Sequence, residues 1–188
     1  TEVLPMVSGE FRHLTRRGAY QLRGYITYGS RIQTDAAGVP LPGEREGVRA
    51  YVEGNGRFQL SRDWSVTGSA RYVTDRTFLR RYDISLDDRL RSVVNAERIR
   101  PDSYISIAGW AFQGLRLTDV DGQQPVALPA IDARWRLPRR IAGGQIQVQA
   151  NSLAILRPEG QDTQRAFASA RWDRRTLTGL GQELVLTA

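Results

Sequence analysis

The chain has 188 residues, 40% of them hydrophobic, with no cysteine and one histidine. That is enough for one ordinary domain, and it excludes a disulfide framework, a thiolate metal site and a cysteine nucleophile. All 27 basic residues are arginine, for a net charge of +7, and they are spread along the chain instead of forming one stripe, which argues against a nucleic-acid partner.

No apolar run approaches the ~20 residues of a membrane helix. The opening TEVLPMVSGEF lacks the basic and apolar regions of a signal peptide, so the chain reads as soluble or as an internal piece of a longer precursor.

In chain order, the dominant signal is alternation. A first strand is expected over 8–14, followed by a short turn at Thr15–Gly18. From Tyr20 the even positions run Tyr20, Leu22, Gly24, Ile26 and Tyr28 against Gln21, Arg23, Tyr25 and Thr27, predicting a strand over 19–33. Residues 34–47 read as a long loop. Strands follow over 48–61 and 64–73, joined by the tight Arg62-Asp63 turn. Residues 74–88 form a second long loop. Further strands are expected over 89–99, 104–114, 130–137, 145–156, 165–173 and 176–187, the last two separated by a turn at Asp173-Arg174-Arg175. Period-two alternation sustained in this way means strands with one apolar and one polar face. The fold class is all-β, an antiparallel up-and-down meander of about ten strands.

Several of these strands exceed the ordinary ~5–6 residues and reach the ~9–11 of a tilted membrane-spanning strand. Their apolar faces are mild, rich in Gly, Ala and Ser. Aromatics bracket them in the manner of an interfacial girdle: Tyr20, Trp64 and Tyr72, with Trp110, Phe112, Trp135 and Trp172 on or near the apolar parity. Short and long connections alternate, as they do in outer-membrane barrels. Ten strands are either a small closed barrel, porin-like or a structural anchor, or an arc of a larger one. A soluble sandwich binding anionic ligands is the rival architecture.

No catalytic, metal-binding or cofactor-binding residue is nominated. His13 is the only histidine and has no serine or orienting partner in view. Asp87-Asp88 and Asp119 with Asp121 read as loop solvation, and Gly143-Gly144 and Gly179 with Gly181 as turn and strand glycines. The polar-parity arginines Arg23, Arg31, Arg49, Arg57 and Arg71 would line a barrel lumen. There they either contact an anionic substrate, for which the guanidinium fork is suited, or are neutralised by lumen acids such as Glu53. Arginine-favouring codon usage accounts for the composition equally well.

The stretch TDRTFLRRYD at 74–83 resembles an element of the lipopolysaccharide-assembly outer-membrane proteins, the LptD (OstA, organic solvent tolerance) family, in Thr74, Asp75, Arg76, Phe78, Leu79 and Tyr82. Further elements that look like the family's follow in its order: Asp88-Arg89-Leu90, SYISIAGWAFQGLR (103–116), QQPVALPAIDARW (123–135) and ANSLAILRPEGQDTQR (150–165). The style is closest to alphaproteobacterial members. The resemblance implies an outer-membrane transport protein and no enzyme. Its cargo would be lipopolysaccharide, carried among outer-membrane lipids, with an LptE-like plug lipoprotein and a periplasmic LptA-like bridge reached through a jellyroll. That jellyroll is not among these residues, and the family's barrel is much larger than ten strands. Residues 1–188 therefore read as one segment of such a barrel. In that setting 74–88 is an outer loop: Asp75 holds backbone amides, Phe78, Leu79 and Tyr82 pack the loop down, and Arg76, Arg80 and Arg81 meet lipopolysaccharide phosphates.

Overall fold

The computed structural model describes residues 5–34, 39–120 and 122–188. Ten strands pair in chain order into a single antiparallel sheet, from β1 to β10 without a crossover. They are β1 (Val7–Thr15), β2 (Gly18–Thr34), β3 (Pro40–Gln59), β4 (Trp64–Val73), β5 (Arg89–Ile99), β6 (Ser103–Gly114), β7 (Val126–Arg136), β8 (Gln145–Leu156), β9 (Thr163–Leu177) and β10 (Glu183–Thr187). A four-residue helical turn, α1 (Phe78–Arg81), interrupts the connection between β4 and β5. No helix among the described residues is long and apolar enough to cross a membrane; nine of the strands have at least nine residues and only β10, with five, is short.

The expected meander is therefore the observed one, with three boundaries moved. The segment expected as a long loop at 34–47 is largely ladder, since β2 and β3 stay paired out to Thr34↔Pro40, leaving 35–38 outside the described residues. No turn occurs at 173–175: β9 continues to Leu177, and Asp173 sits between Gln145 of β8 and Thr187 of β10. The chain turns at 178–182, where Gly181 takes φ 79°, a left-handed value that favours glycine. Strand β7 starts at Val126, four residues before the expected 130.

Register carries side-chain parity across the sheet. Glu10, Arg23, Glu53 and Arg71 stand side by side, as do Phe11, Leu22, Gly54 and Ala70. Farther along, Val66, Ala96, Ile107 and Ile131 form one row and Ser65, Glu97, Ser106 and Asp132 the neighbouring one. Two aromatics fall on the other parity from that expected. Trp110 and Phe112 lie opposite Val93 and Arg91, on the polar side of the sheet, whereas Trp135 and Trp172 stay on the apolar side.

The apolar rows are not buried. Ile26, Val52, Val94 and Ile107 are 42–51% exposed, and nothing packs over them. A soluble sandwich would cover these side chains with a second sheet at about 10 Å, but all ten strands belong to one sheet. The edges β1 and β10 do not pair with each other, so the strands form an open arc. The main buried cluster lies around the turn α1: Tyr51, Val73, Phe78, Leu79, Leu90 and Leu115, with Tyr25, Tyr82, Met6 and Ile84 packed around it. Here the connection between β4 and β5 folds onto the sheet, and Phe78 and Leu79 are fully enclosed.

Candidate functional site

The polar face carries its charges in alternation. Arg23 lies 3.0 Å from Glu10 and 3.4 Å from Glu53. Arg71 donates to Asp87 at 2.7 Å and to the Tyr51 hydroxyl at 2.9 Å, and Tyr51 in turn donates to Glu53 at 2.8 Å. The row Glu10–Arg23–Glu53–Arg71–Asp87 thus runs over four strands and into the following loop with opposite signs adjacent. Cross-strand neighbours of opposite charge each add a fraction of a kcal/mol, about 0.2–1; their larger effect is to fix side-chain positions on a face that water reaches.

One step beyond that row the electrostatics change character. Arg49 is 1% exposed, and its guanidinium meets the Asp75 carboxylate at 2.6 Å. Its two terminal nitrogens donate to the Ser30 carbonyl at 3.2 Å and the Thr77 hydroxyl at 3.1 Å, while the buried Nε has no acceptor. The rings of Phe78 and Tyr82, 5.0 Å apart, each sit 5.6 Å from its central carbon. Removing two charges from water costs several kcal/mol per ion. The direct pair, the extra hydrogen bonds and two aromatic faces offset that cost. Asp75 also accepts from the Thr77 amide at 2.9 Å and the Thr77 hydroxyl at 3.1 Å, which starts the turn α1. Thr74 ends β4 by exchanging bonds with Ala50 through its hydroxyl, at 2.9 and 3.3 Å.

Each residue of the 74–83 stretch therefore has a definite place. Arg76 reaches the carbonyls of Arg116 and Leu117, tying this loop to the one after β6. Arg80 pairs with Asp88, which also takes Arg116 at 2.8 Å, while Arg81 leans on the Ser30 carbonyl at 3.4 Å. Both Arg80 and Arg81 remain exposed. The hydrogen bond from Arg116 holds the Asp88 carboxyl below the usual aspartate range, and that from Arg71 does the same for Asp87, with Ser85 assisting. Arg57 is exposed and has no acidic partner among the described residues; the Arg31 side chain lies outside them.

Sequence reading named Arg49 and Asp75 separately but could not join them, since 26 positions divide them and only register and the folded loop bring them together. It missed a second feature altogether. The β4–β5 ladder stops at Ser69↔Val93, four residues before β4 ends. Beyond that point side chains replace the missing strand. The Ser92 hydroxyl bonds both the amide and the carbonyl of Arg71, at 3.0 and 3.4 Å. The Gln113 amide does the same for Val73, at 3.0 and 2.7 Å, reaching past the start of β5. Where no water is available, an unsatisfied backbone group costs several kcal/mol, which is why polar side chains stand in this gap.

An unclosed antiparallel arc with an exposed apolar face and an ion-paired polar face is a wall section of an outer-membrane β-barrel. Hydrocarbon wets one set of alternate side chains and the aqueous interior wets the other. The chain belongs to the LptD family, lipopolysaccharide transport system D, whose family model matches residues 47–188. No curated protein matches the chain. The family's work is lipopolysaccharide transport and assembly at the outer membrane, so the cargo is a phosphorylated, acylated glycolipid.

Proposed function

We propose that residues 1–188 are one segment of the barrel of an LptD-like translocon, of the alphaproteobacterial type, which inserts lipopolysaccharide into the outer leaflet of the outer membrane. The observation that carries this reading is the uncovered apolar face of a sheet whose opposite face is charged and ordered, in a chain of this family. The segment breaks no bond; it supplies a wall that separates acyl chains from the polar interior. Its partners in this reading are lipopolysaccharide itself, surrounding outer-membrane lipids, an LptE-like plug lipoprotein inside the barrel, and an LptA-like bridge acting through a periplasmic jellyroll. The exposed Arg80 and Arg81, with Arg76, face the phosphates of lipopolysaccharide at the outer rim. Charge-assisted, bidentate contacts of that kind are the strong ones.

The test is delivery. Full-length protein carrying Arg76, Arg80 and Arg81 all replaced by glutamine is expected to assemble in the outer membrane at the normal level but to place less lipopolysaccharide at the cell surface. Surface lipopolysaccharide is read by accessibility to an impermeant probe and compared with cells depleted of the protein. Undiminished surface lipopolysaccharide on depletion would refute the transport reading. An unchanged level in the triple variant alone would remove only the assignment of these three arginines.

A further inference from the structure

At the end of the sheet where β7 turns into β8, the two faces carry their charge differently. On the polar parity the cations are matched: Arg171 pairs with Asp173 at 3.0 Å and Arg175 with Glu183 at 3.8 Å. Arg174 stands on the apolar parity of β9, two positions beyond Trp172, exposed and without an acidic partner among the described residues. The turn at 137–144 is fastened to this same face. The Trp172 indole donates to the Ile141 carbonyl at 2.8 Å, and Arg174 donates to that of Ala142 at 3.3 Å. Gly144 is buried against the indole, where a side-chain carbon would come within 2.2 Å of the ring, so nothing larger fits. The turn also carries Arg139 and Arg140, both exposed and, like Arg174, without an acid among the described residues. Three uncompensated arginines thus share one short stretch of rim on the side that meets hydrocarbon.

Farther along that face lies a shallow hollow of about 530 Å³. It begins at Trp135 and runs over Ala133, Ile131, Ala150, Ser152 and Ala168. Arg174 and Ala168 are both on β9. Their separation is about 20 Å along the strand at ~3.3 Å per residue, and about 15 Å in depth once the tilt of a barrel strand is counted. Half a bilayer with its headgroups is about 20 Å, so arginines and hollow fall within one leaflet. The connections at this end are the short ones, 16–17, 60–63 and 100–102 among them, while 74–88 and 115–125 leave from the other end. Short turns of outer-membrane barrels face the periplasm. The leaflet concerned is therefore the inner one, opposite to that which receives lipopolysaccharide.

We infer that this rim and hollow form a site for one anionic glycerophospholipid of the inner leaflet, its headgroup among Arg139, Arg140 and Arg174 and an acyl chain along the Trp135–Ala168 hollow. The inference rests on the membrane-barrel reading above, but this lipid is an anchor for the wall and not its cargo. Charge and shape select it together. An uncharged lipid has no use for three unmatched cations, and a soluble anion has none for the hollow. An indole beside the arginines suits the level of the headgroups, where amphipathic rings settle, and basic groups there attract anionic lipid.

The experiment reconstitutes the full-length protein in vesicles of phosphatidylcholine with a minority of phosphatidylglycerol. Lipid adducts of a photo-reactive amino acid are then identified by mass. The probe at Val148, between Trp135 and Ala170, is compared with the same probe at Val52 on the apolar face of β3. Expected is a ratio of phosphatidylglycerol to phosphatidylcholine adducts at Val148 about fivefold or more above that at Val52, the preference one basic group near an anionic surface provides. In the Arg139→Gln, Arg140→Gln double variant, which leaves Arg174 and its hold on the turn, the ratio should fall most of the way to the Val52 value. Raised salt, which screens exposed charges, should lower it in the unaltered protein, and this decides the matter if the double variant fails to assemble. Equal ratios at Val148 and Val52, or a Val148 ratio that neither the double variant nor salt moves, overturn the inference. Lipopolysaccharide supplied in place of phosphatidylglycerol and enriched at Val148 to the same degree overturns the assignment to glycerophospholipid. Lipid adducts at both positions in the bulk ratio overturn the inference and leave the membrane-barrel reading intact, whereas no lipid adduct at either counts against both.

Discussion

Arg49 and Asp75, 26 residues apart, form a 2.6 Å ion pair from which water is excluded, and the loop between β4 and β5 is fastened to the polar face through it. Breaking a buried pair on one side leaves a stranded charge, worth about 3–5 kcal/mol. Arg49→Met or Asp75→Leu alone should therefore lower barrel stability by that order, while the combined variant loses less than the sum. Urea unfolding in lipid vesicles measures both. Trypsin cutting after Arg80 or Arg81 should appear in the single variants, reporting release of the loop.

Gln113→Ala withdraws the side chain that serves both backbone groups of Val73. The expected cost is about 1–3 kcal/mol for each group left without a partner, and Ser92→Ala should behave similarly at Arg71. Amide hydrogen exchange checks this residue by residue. Val73 should lose protection in the first variant and Arg71 in the second, with Ser69, which is still in the ladder, unchanged.

Opposite faces of β3 should respond oppositely to the same side chain. Val52→Arg puts a guanidinium among apolar neighbours and is expected to cost about 2–4 kcal/mol near the bilayer midplane. Asn55→Arg, on the polar parity, should stay within about 0.5 kcal/mol, as ordinary surface changes do. Equal penalties would contradict the assignment of the two faces.

The loop ion pairs give a pH dependence whose sign follows from Asp87 and Asp88. Both carboxyls are held below the usual aspartate range, Asp88 chiefly by Arg116 and Asp87 chiefly by Arg71. A depressed carboxyl contributes stability that is fully present above its unfolded pKa and disappears as pH falls through its folded one. The loops after β4 and β6 should accordingly stay linked from neutral pH down through the ordinary aspartate range and separate only below it. Carboxyl chemical shifts of the two residues, followed in a pH titration in micelles, are the measurement; a midpoint at or above the ordinary aspartate value would contradict the contacts.

Much of this architecture was readable from the chain because strand parity is a local property. The bounds 64–73, 89–99 and 145–156 agree with β4, β5 and β8 to the residue. Where reading failed, the cause was mostly tertiary. PLPGEREG looks like a loop by its Pro and Gly content, yet pairing with β2 keeps it extended. Asp173-Arg174-Arg175 looks like a turn by charge, but exposed charges are tolerated at the end of a long strand, and the left-handed Gly181 was the better signal. The polar side of Trp110 and Phe112 was a matter of local parity, because alternation counted from Ile105 and Ile107 already puts even positions of this unbroken strand on the other face. Glu53 was named as a neutraliser of the polar-side arginines, and it lies beside Arg23 and Arg71. The pairing of Arg49 with Asp75 and the replacement of ladder by Ser92 and Gln113 depend on contacts between distant segments, which no local pattern encodes.

Strands β4 and β5 part company for only four residues, zipped together below by their ladder and joined above by the 74–88 connection itself. Side chains do the stitching across it: Leu90 and Val73 are enclosed there, and Ser92 and Gln113 bond to the β4 backbone, so the wall stays whole where its ladder lapses.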